Sequence, residues 1–101
     1  MENLNETAHK CYLVNQNYGE EYNVDVSPQW KLLKSMEEFG ELTREFFRSR
    51  WQTRHEATEN DRVNYEDEMT DVIGFLLSFA YEEWLDVQAG LERKWYRHLE
   101  K

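Results

Sequence analysis

The chain has little of what a β-rich or disulfide-stabilised protein needs. Four glycines and one proline in 101 residues are too few for a fold with many tight turns. Cys11 is the single cysteine, so neither an intramolecular disulfide nor a cysteine-based zinc site can form within one chain. We interpret Cys11 as a neutral thiol on the first helix.

Basic charge and long apolar runs are also scarce. A net charge of -9 disfavours nucleic acid and anionic membrane surfaces as partners, because both attract basic patches. The longest apolar run, VIGFLLSFA at 72–80, is too short to span a bilayer. The N-terminus lacks the cationic start and apolar stretch of a signal peptide. Composition therefore predicts a soluble, cytoplasmic protein that binds neither nucleic acid nor membrane.

What the chain does have is helical periodicity. Hydrophobic residues make up 40% of it and aromatic residues 15%, which predicts one folded domain over residues 1–101. Ser27 and Pro28 are a helix-start signal, and Asp86 is a good N-cap. The predicted helices cover about 5–18, with Gly19 as the stop, then 28–51, 61–83 and 87–99, with a polar loop at 52–60. The default architecture is an antiparallel four-helix bundle, and the short chain favours oligomerisation.

Two pairs of acidic residues have the spacing of one helical turn. Glu38 and Glu41 share a face of the second helix, and Glu68 and Asp71 share a face of the third. If the helices face each other, the four carboxylates converge. Like charges one turn apart repel by roughly 0.2–0.5 kcal/mol per exposed pair. A divalent cation with oxygen ligands reverses the sign of that interaction.

The plain alternative is that these acids lie on solvated helix faces. With 21 acidic residues, about four pairs at this spacing arise by chance. However, Glu68 and Asp71 fall on the strip that continues through Val72 and Phe75 towards the interior, where an acid needs a partner or a metal. The other pair also flanks an apolar strip. In contrast, we interpret Glu82, Glu83 and Glu92 as solvated charges.

The segments KSMEEFGEL (34–42) and EDEMTDV (66–72) together resemble the E-E-x-x-E … E-x-x-D signature of the MazG-like all-α nucleoside triphosphate pyrophosphohydrolases. The 26 residues between Glu41 and Glu68 suit that family, and the resemblance covers about 28–98. It implies a four-helix fold and hydrolysis of a nucleoside triphosphate to the monophosphate and pyrophosphate. Members of this size resemble forms that assemble as homodimers or homotetramers.

The resemblance also implies roles for single residues. Glu38, Glu41, Glu68 and Asp71 would bind Mg²⁺, and Mn²⁺ is possible because octahedral oxygen sites accept both. Glu37 would be an added ligand or would help to orient the attacking water. Either Glu37 or Glu38 would take the proton of that water, and the residues do not decide between them.

Cations and aromatic side chains would contact the rest of a nucleotide. Lys34 lies one turn before Glu38, where it fits either a phosphate contact or an i,i+4 salt bridge, and Lys31 lies a turn earlier. Lys94 occupies the place of a phosphate-contacting lysine of the family, followed by Arg97 where an asparagine is common. For base stacking, the candidates singled out are Trp51 and Trp30, although a single aromatic residue more often packs in a core or interface.

Two other readings remain. A phosphoribosyl-ATP pyrophosphohydrolase would look similar around the acidic motifs, but no Tyr-His pair follows Asp71. A non-catalytic helical interaction or regulatory module would keep the fold without the chemistry, and the complete set of four carboxylates disfavours it. The sequence does not indicate which base or sugar is preferred.

Overall fold

The computed structural model describes residues 2–52 and 59–99, and every regular element within these ranges is helical. The four α-helices are α1 (Leu4–Tyr22), α2 (Pro28–Phe47), α3 (Glu59–Glu82) and α4 (Val87–Lys94). A π-helical turn, Arg48–Gln52, follows α2, and a 3-10 turn, Tyr96–His98, follows α4. The prediction of an all-α protein with four helices is confirmed. Within the described ranges, none of the helices has the length and apolar content to cross a membrane.

Side-chain caps set the starts of three helices. The Asn3 side chain accepts a hydrogen bond from the Glu6 N–H at the start of α1 (3.0 Å). Ser27 caps α2 through the Trp30 N–H (3.2 Å), with Pro28 in the first helical position. Asp86 caps α4 by accepting from the Ala89 N–H (3.0 Å). The starts predicted at Ser27 and Asp86 are confirmed, because these caps depend on local sequence alone.

The helix ends differ from the prediction. Helix α1 continues past Gly19 to Tyr22 and ends at Asn23, which adopts a left-handed conformation with φ 54°. Gly19 is instead required by a close approach, since a Cβ there would lie 2.9 Å from the carbonyl oxygen of Val24. The chain therefore turns back across Gly19 rather than stopping at it.

The second and fourth helices are shorter than expected. Helix α2 changes to a π-helical turn after Phe47, and α4 ends at Lys94 rather than near Leu99. Residues 53–58 of the predicted polar loop lie outside the described residues.

Helix α3 is the centre of the fold and packs against both α1 and α2. The C-terminal end of α3 meets the starts of α1 and α2. His9 of α1 stacks on Tyr81 (ring centroids 4.7 Å apart), and Lys31 of α2 pairs with Glu82. Helix α3 therefore runs antiparallel to α1 and α2. Helix α4 packs on the start of α1, where the Asn5 amide donates to the Asp86 carboxylate (2.7 Å).

The apolar core of a single chain is small. Among the described residues, only Ala8, Val72, Leu77 and Ala80 are buried hydrophobic residues. Ile73 and Leu76, in the run predicted to be buried all round, remain 43% and 44% exposed, because α1 and α2 cover only part of the α3 surface. The radius of gyration is 16.2 Å, whereas a compact chain of this length has about 13 Å. One chain therefore leaves much apolar surface open to solvent.

Candidate functional site

Three carboxylates meet between α2 and α3. Glu38 projects from α2, and Glu68 and Asp71 project from consecutive turns of α3. One oxygen from each lies within 4.8 Å of the other two. Glu38 and Glu68 are half-buried and Asp71 is exposed, so the cluster is open to solvent at the Asp71 side. The facing-helix arrangement inferred from the spacing is present for these three residues.

Glu41 is the fourth predicted ligand, and the structure places it apart from the cluster. It lies one turn after Glu38, and its carboxylate forms an ion pair with Arg44. The structure therefore brings together three of the four predicted carboxylates. Arg44, which the sequence reasoning did not consider, competes for the fourth.

The cluster contains negative charge that no basic side chain of residues 2–50 or 59–99 neutralises. Within the described ranges, no lysine or arginine pairs with Glu38, Glu68 or Asp71, and the Glu68 Oε2 atom is buried without a hydrogen-bond donor. Burial is the main cause that raises the pKa of Glu38, followed by its hydrogen bond to Glu68 and by nearby negative charges, Asp71 first. Burial and then the charge of Asp67 raise the pKa of Asp71. Protons or a cation would relieve this repulsion.

The donor set fits a hard divalent cation. All three side chains offer carboxylate oxygens, which Mg²⁺ and Mn²⁺ prefer over nitrogen or sulfur. A buried oxygen without a donor is rare in folded proteins and calls for an explanation. A cation between α2 and α3 would give the Glu68 oxygen a partner and would offset the charges that now repel one another.

Of the predicted phosphate ligands, Lys34 lies nearest to Glu38 in the sequence. Its Nζ atom lies 3.5 Å from the Glu37 carboxylate and 5.7 Å from the centre of the Trp30 ring. The salt bridge therefore goes to Glu37 rather than to Glu38. Lys34 keeps about a third of its side chain exposed (31%), so its ammonium group remains accessible to solvent.

Lys31 has a different role from Lys34. Its side chain is fully buried and forms an ion pair with Glu82, and its ammonium group lies 4.7 Å from the centre of the Tyr12 ring. A lysine held in this way cannot reach a phosphate. The interpretation of Glu82 as a solvated charge is wrong. The sequence contained a signal for it, because Glu82 follows Phe75 by seven residues and so lies on the same strip of α3.

Lys94 and Arg97 lie at the end of α4 and in the 3-10 turn that follows it. Helix α4 packs on α1 rather than alongside the carboxylates. The described hydrogen bond of the Arg97 guanidinium is with the neighbouring His98 ring (3.3 Å). The structure does not bring these two cations to the cluster within one chain.

The two tryptophans predicted to stack on a nucleobase, Trp30 and Trp51, lie in different elements. Trp30 is half-buried and packs between helices, with its ring centre 5.9 Å from Tyr18 and 5.6 Å from Phe75, which meets it edge-on. It lies two turns before Glu38 on α2. Trp51 belongs to the π-helical turn, and its side chain lies outside what the structure describes.

Comparison of the chain with protein-family models, with curated proteins and with solved structures finds no match in any of the three. The resemblance to MazG-like proteins therefore depends on the two motifs and their spacing. Function is inferred from those motifs and from the geometry and charge of the cluster.

Proposed function

We propose that the protein is a Mg²⁺-dependent nucleoside triphosphate pyrophosphohydrolase, which converts a nucleoside triphosphate and water to the monophosphate and diphosphate. The observation that carries this proposal is the meeting of Glu38, Glu68 and Asp71, which no lysine or arginine of the described residues neutralises. The motif resemblance supplies the reaction class.

In this proposal Glu38, Glu68 and Asp71 hold the metal. Glu41 joins them when it leaves Arg44, since it lies on the neighbouring turn of α2. A divalent cation held there would supply positive charge to the phosphate oxygens and would lower the pKa of bound water. Either Glu37 or Glu38 accepts the proton of the attacking water.

The surroundings of the cluster fit a triphosphate. Lys34 lies between Trp30 and Glu38 along α2, one turn from each. An ammonium group at this point would contact phosphate oxygens while Glu38 holds the metal. The nucleobase of the substrate would then lie towards Trp30, or towards Trp51 beyond the other end of α2. Lys94 and Arg97 would contribute phosphate contacts only from another subunit.

The proposed assembly is a MazG-like four-helix unit completed by a homodimer or homotetramer. The small core and the large radius of gyration support association.

The decisive experiment is pyrophosphate release from the eight common ribo- and deoxyribonucleoside triphosphates, with Mg²⁺, with Mn²⁺ and with chelator. We expect metal-dependent release with a nucleoside monophosphate as the second product, and the fastest substrate identifies the base. The Glu38→Gln variant, purified in the same way, controls for contaminating phosphatases. Binding of Mg²⁺ without pyrophosphate release from any nucleotide would contradict the proposed enzymatic activity and favour a non-catalytic helical module.

A further inference from the structure

The ring of Trp30 contacts three side chains of the protein. Tyr18 of α1 stacks on it, with ring centres 5.9 Å apart and an interplanar angle of 29°. Phe75 of α3 meets it edge-on, with ring centres 5.6 Å apart and an angle of 81°. The ammonium nitrogen of Lys34 lies 5.7 Å from the centre of the ring. The Trp30 side chain is therefore held by groups from three helices, and one of these groups is a cation.

The start of α2 sets the position of this ring. The Ser27 hydroxyl accepts a hydrogen bond from the Trp30 N–H (3.2 Å), which fixes Trp30 as the third residue of the helix. Lys34 follows four residues later, and side chains at this spacing are neighbours on one face of a helix. Glu38 follows Lys34 by the same interval. The ring, the ammonium group and a carboxylate of the cluster therefore follow one another along one strip of α2.

Lys34 needs such contacts if its ammonium group is to act at one place. A lysine side chain has many rotamers, and ordering it costs conformational entropy. Lys34 pairs with Glu37 at 3.5 Å, but the Glu37 side chain is 61% exposed, and an exposed pair of this kind is weak. Trp30 is half-buried, and an indole ring binds cations better than the other aromatic rings do. The rigid ring therefore does more than the exposed glutamate to set where the ammonium group lies.

The edge-on contact connects this arrangement to the carboxylates of α3. Phe75 follows Asp71 by four residues, so it lies one turn from the cluster on the same helix. Trp30 packs against Phe75, and Lys34 contacts Trp30. The position of the ammonium group therefore depends on α3, the helix that supplies two carboxylates of the cluster. A phosphate ligand and metal ligands that act on one triphosphate must keep a fixed separation.

We propose that Trp30 is a positioning residue, which holds the Lys34 ammonium group in place for the phosphate groups of a metal-bound triphosphate. The inference rests on the proposed function, because the carboxylate cluster is what would bring a triphosphate to Lys34. This role differs from the base stacking expected of Trp30 from the sequence. The ring acts through the lysine rather than through the base.

The test is the binding of inorganic tripolyphosphate in the presence of Mg²⁺, measured by calorimetry on the intact protein. Tripolyphosphate has no base, so a residue that only stacks on a base leaves its affinity unchanged. We expect Lys34→Met to weaken binding about tenfold and Trp30→Leu to weaken it about threefold to tenfold. When Lys34→Met is already present, Trp30→Leu should have no further effect, because a positioning residue acts only through the group that it holds.

Two controls separate positioning from a general loss of charge or of packing. Lys10→Met removes another paired lysine, which lies on α1 with 72% of its side chain exposed, and it should leave the affinity unchanged. Trp30→Phe keeps an aromatic face that binds cations less well, so it should weaken binding about twofold and should have no effect when Lys34→Met is present. This milder variant completes the same cycle if Trp30→Leu does not fold.

Equal affinities of the natural protein and the Trp30 variants would overturn the inference. Additive losses in the double variant would overturn it too, since packing alone would then explain Trp30. The same holds if the natural protein does not bind tripolyphosphate, or if Lys34→Met does not weaken that binding. The measurement needs no hydrolysis, so coupled losses of affinity without pyrophosphate release from any nucleotide would contradict the proposed enzymatic activity and support the role of Trp30.

Discussion

Two acidic positions on one strip of α3 have opposite electrostatic surroundings. Glu82, at the end of the helix, forms an ion pair with Lys31, whose side chain is fully buried. Glu68 and Asp71, in the middle of the helix, meet Glu38 from α2 and, within the described ranges, have no cation of the chain beside them. Both groups lie where α2 packs on α3.

We interpret the charge of Glu82 as structural and propose that the charges of Glu68 and Asp71 bind a cation. The Lys31–Glu82 pair is neutral within the chain, and Lys31 also lies over the Tyr12 ring of α1, so it connects three helices. The Glu38, Glu68 and Asp71 cluster is stable only to the extent that protons or a cation compensate it. The same type of substitution should therefore have opposite effects at the two positions.

The largest effect is expected on hydrolysis. Glu38→Gln and Asp71→Asn each remove one charged oxygen ligand while keeping the size of the side chain. We expect each to lower the rate of pyrophosphate release by at least about a hundredfold, since even indirect partners of metal ligands contribute about 10- to 100-fold. Steady-state kinetics with saturating Mg²⁺ measures the loss.

The matched control for these variants is Glu83→Gln, which removes one exposed carboxylate just after the end of α3 and should leave the rate unchanged. In the presence of chelator, the Glu38→Gln variant should melt at the same temperature as the natural protein or higher, because repulsion within the cluster is relieved. Full activity of both ligand variants would contradict the assignment of the site.

The next effect concerns the other acidic position. Glu82→Gln leaves the Lys31 ammonium group buried without its counter-charge, and breaking such a pair costs about 3 kcal/mol of unfolding free energy. Urea denaturation should show this loss equally with Mg²⁺ and with chelator. Glu83→Gln, one residue away and exposed, should change stability by less than about 0.5 kcal/mol. A comparably small effect of Glu82→Gln would show that water reaches Lys31.

Local signals explain how much of the fold the sequence predicted. The Ser27–Pro28 start and the Asp86 cap need only neighbouring residues, and both are present. The end of α4 and the change to a π-helical turn after Phe47 have no comparable local signal. The role of Gly19 depends on a chain reversal that the sequence pattern alone does not indicate.

In the candidate site, too, features set by local spacing were predictable and features that depend on packing were not. The spacing of Glu68 and Asp71, one turn apart on the strip of Phe75, predicted the meeting with Glu38. The direction of the Glu41 side chain was not predictable, because it depends on competition between the cluster and Arg44. The Lys31–Glu82 pair joins residues 51 positions apart in the chain, and only the packing of α2 on α3 reveals it.

A smaller effect is expected in the dependence of stability on pH. The pKa values of Glu38 and Asp71 are raised from their ordinary values of 4.5 and 3.8, so above these values the folded state binds protons more tightly than the unfolded state. The metal-free protein should therefore lose stability as the pH rises from about 4 through the raised pKa values. Urea denaturation in chelator, at a series of pH values, measures the slope.

Other carboxylates also contribute to that slope, so the comparison with Glu38→Gln isolates the cluster. For example, the pKa of Asp86 is lowered by its hydrogen bonds from the Ala89 N–H and the Asn5 amide, which acts in the opposite direction at lower pH. The difference in unfolding free energy between the natural protein and the variant should fall as the pH rises in chelator. This dependence should disappear with saturating Mg²⁺. An identical pH profile for the two proteins would contradict the electrostatic strain inferred for the cluster.

The smallest effect tests whether Glu41 is the fourth ligand. Arg44→Gln releases Glu41 from its ion pair, which is exposed at the Arg44 side chain (64%) and is therefore weak, worth about 0.2–1 kcal/mol. If Glu41 joins the cluster, the affinity for Mg²⁺ measured by calorimetry should rise by about two- to fivefold. Glu41→Gln should remove this gain when it is added to Arg44→Gln, and should weaken binding by itself. If Arg44→Gln lowers the affinity, the ion pair positions α2 for the other ligands, and the cation is held by Glu38, Glu68 and Asp71 without Glu41.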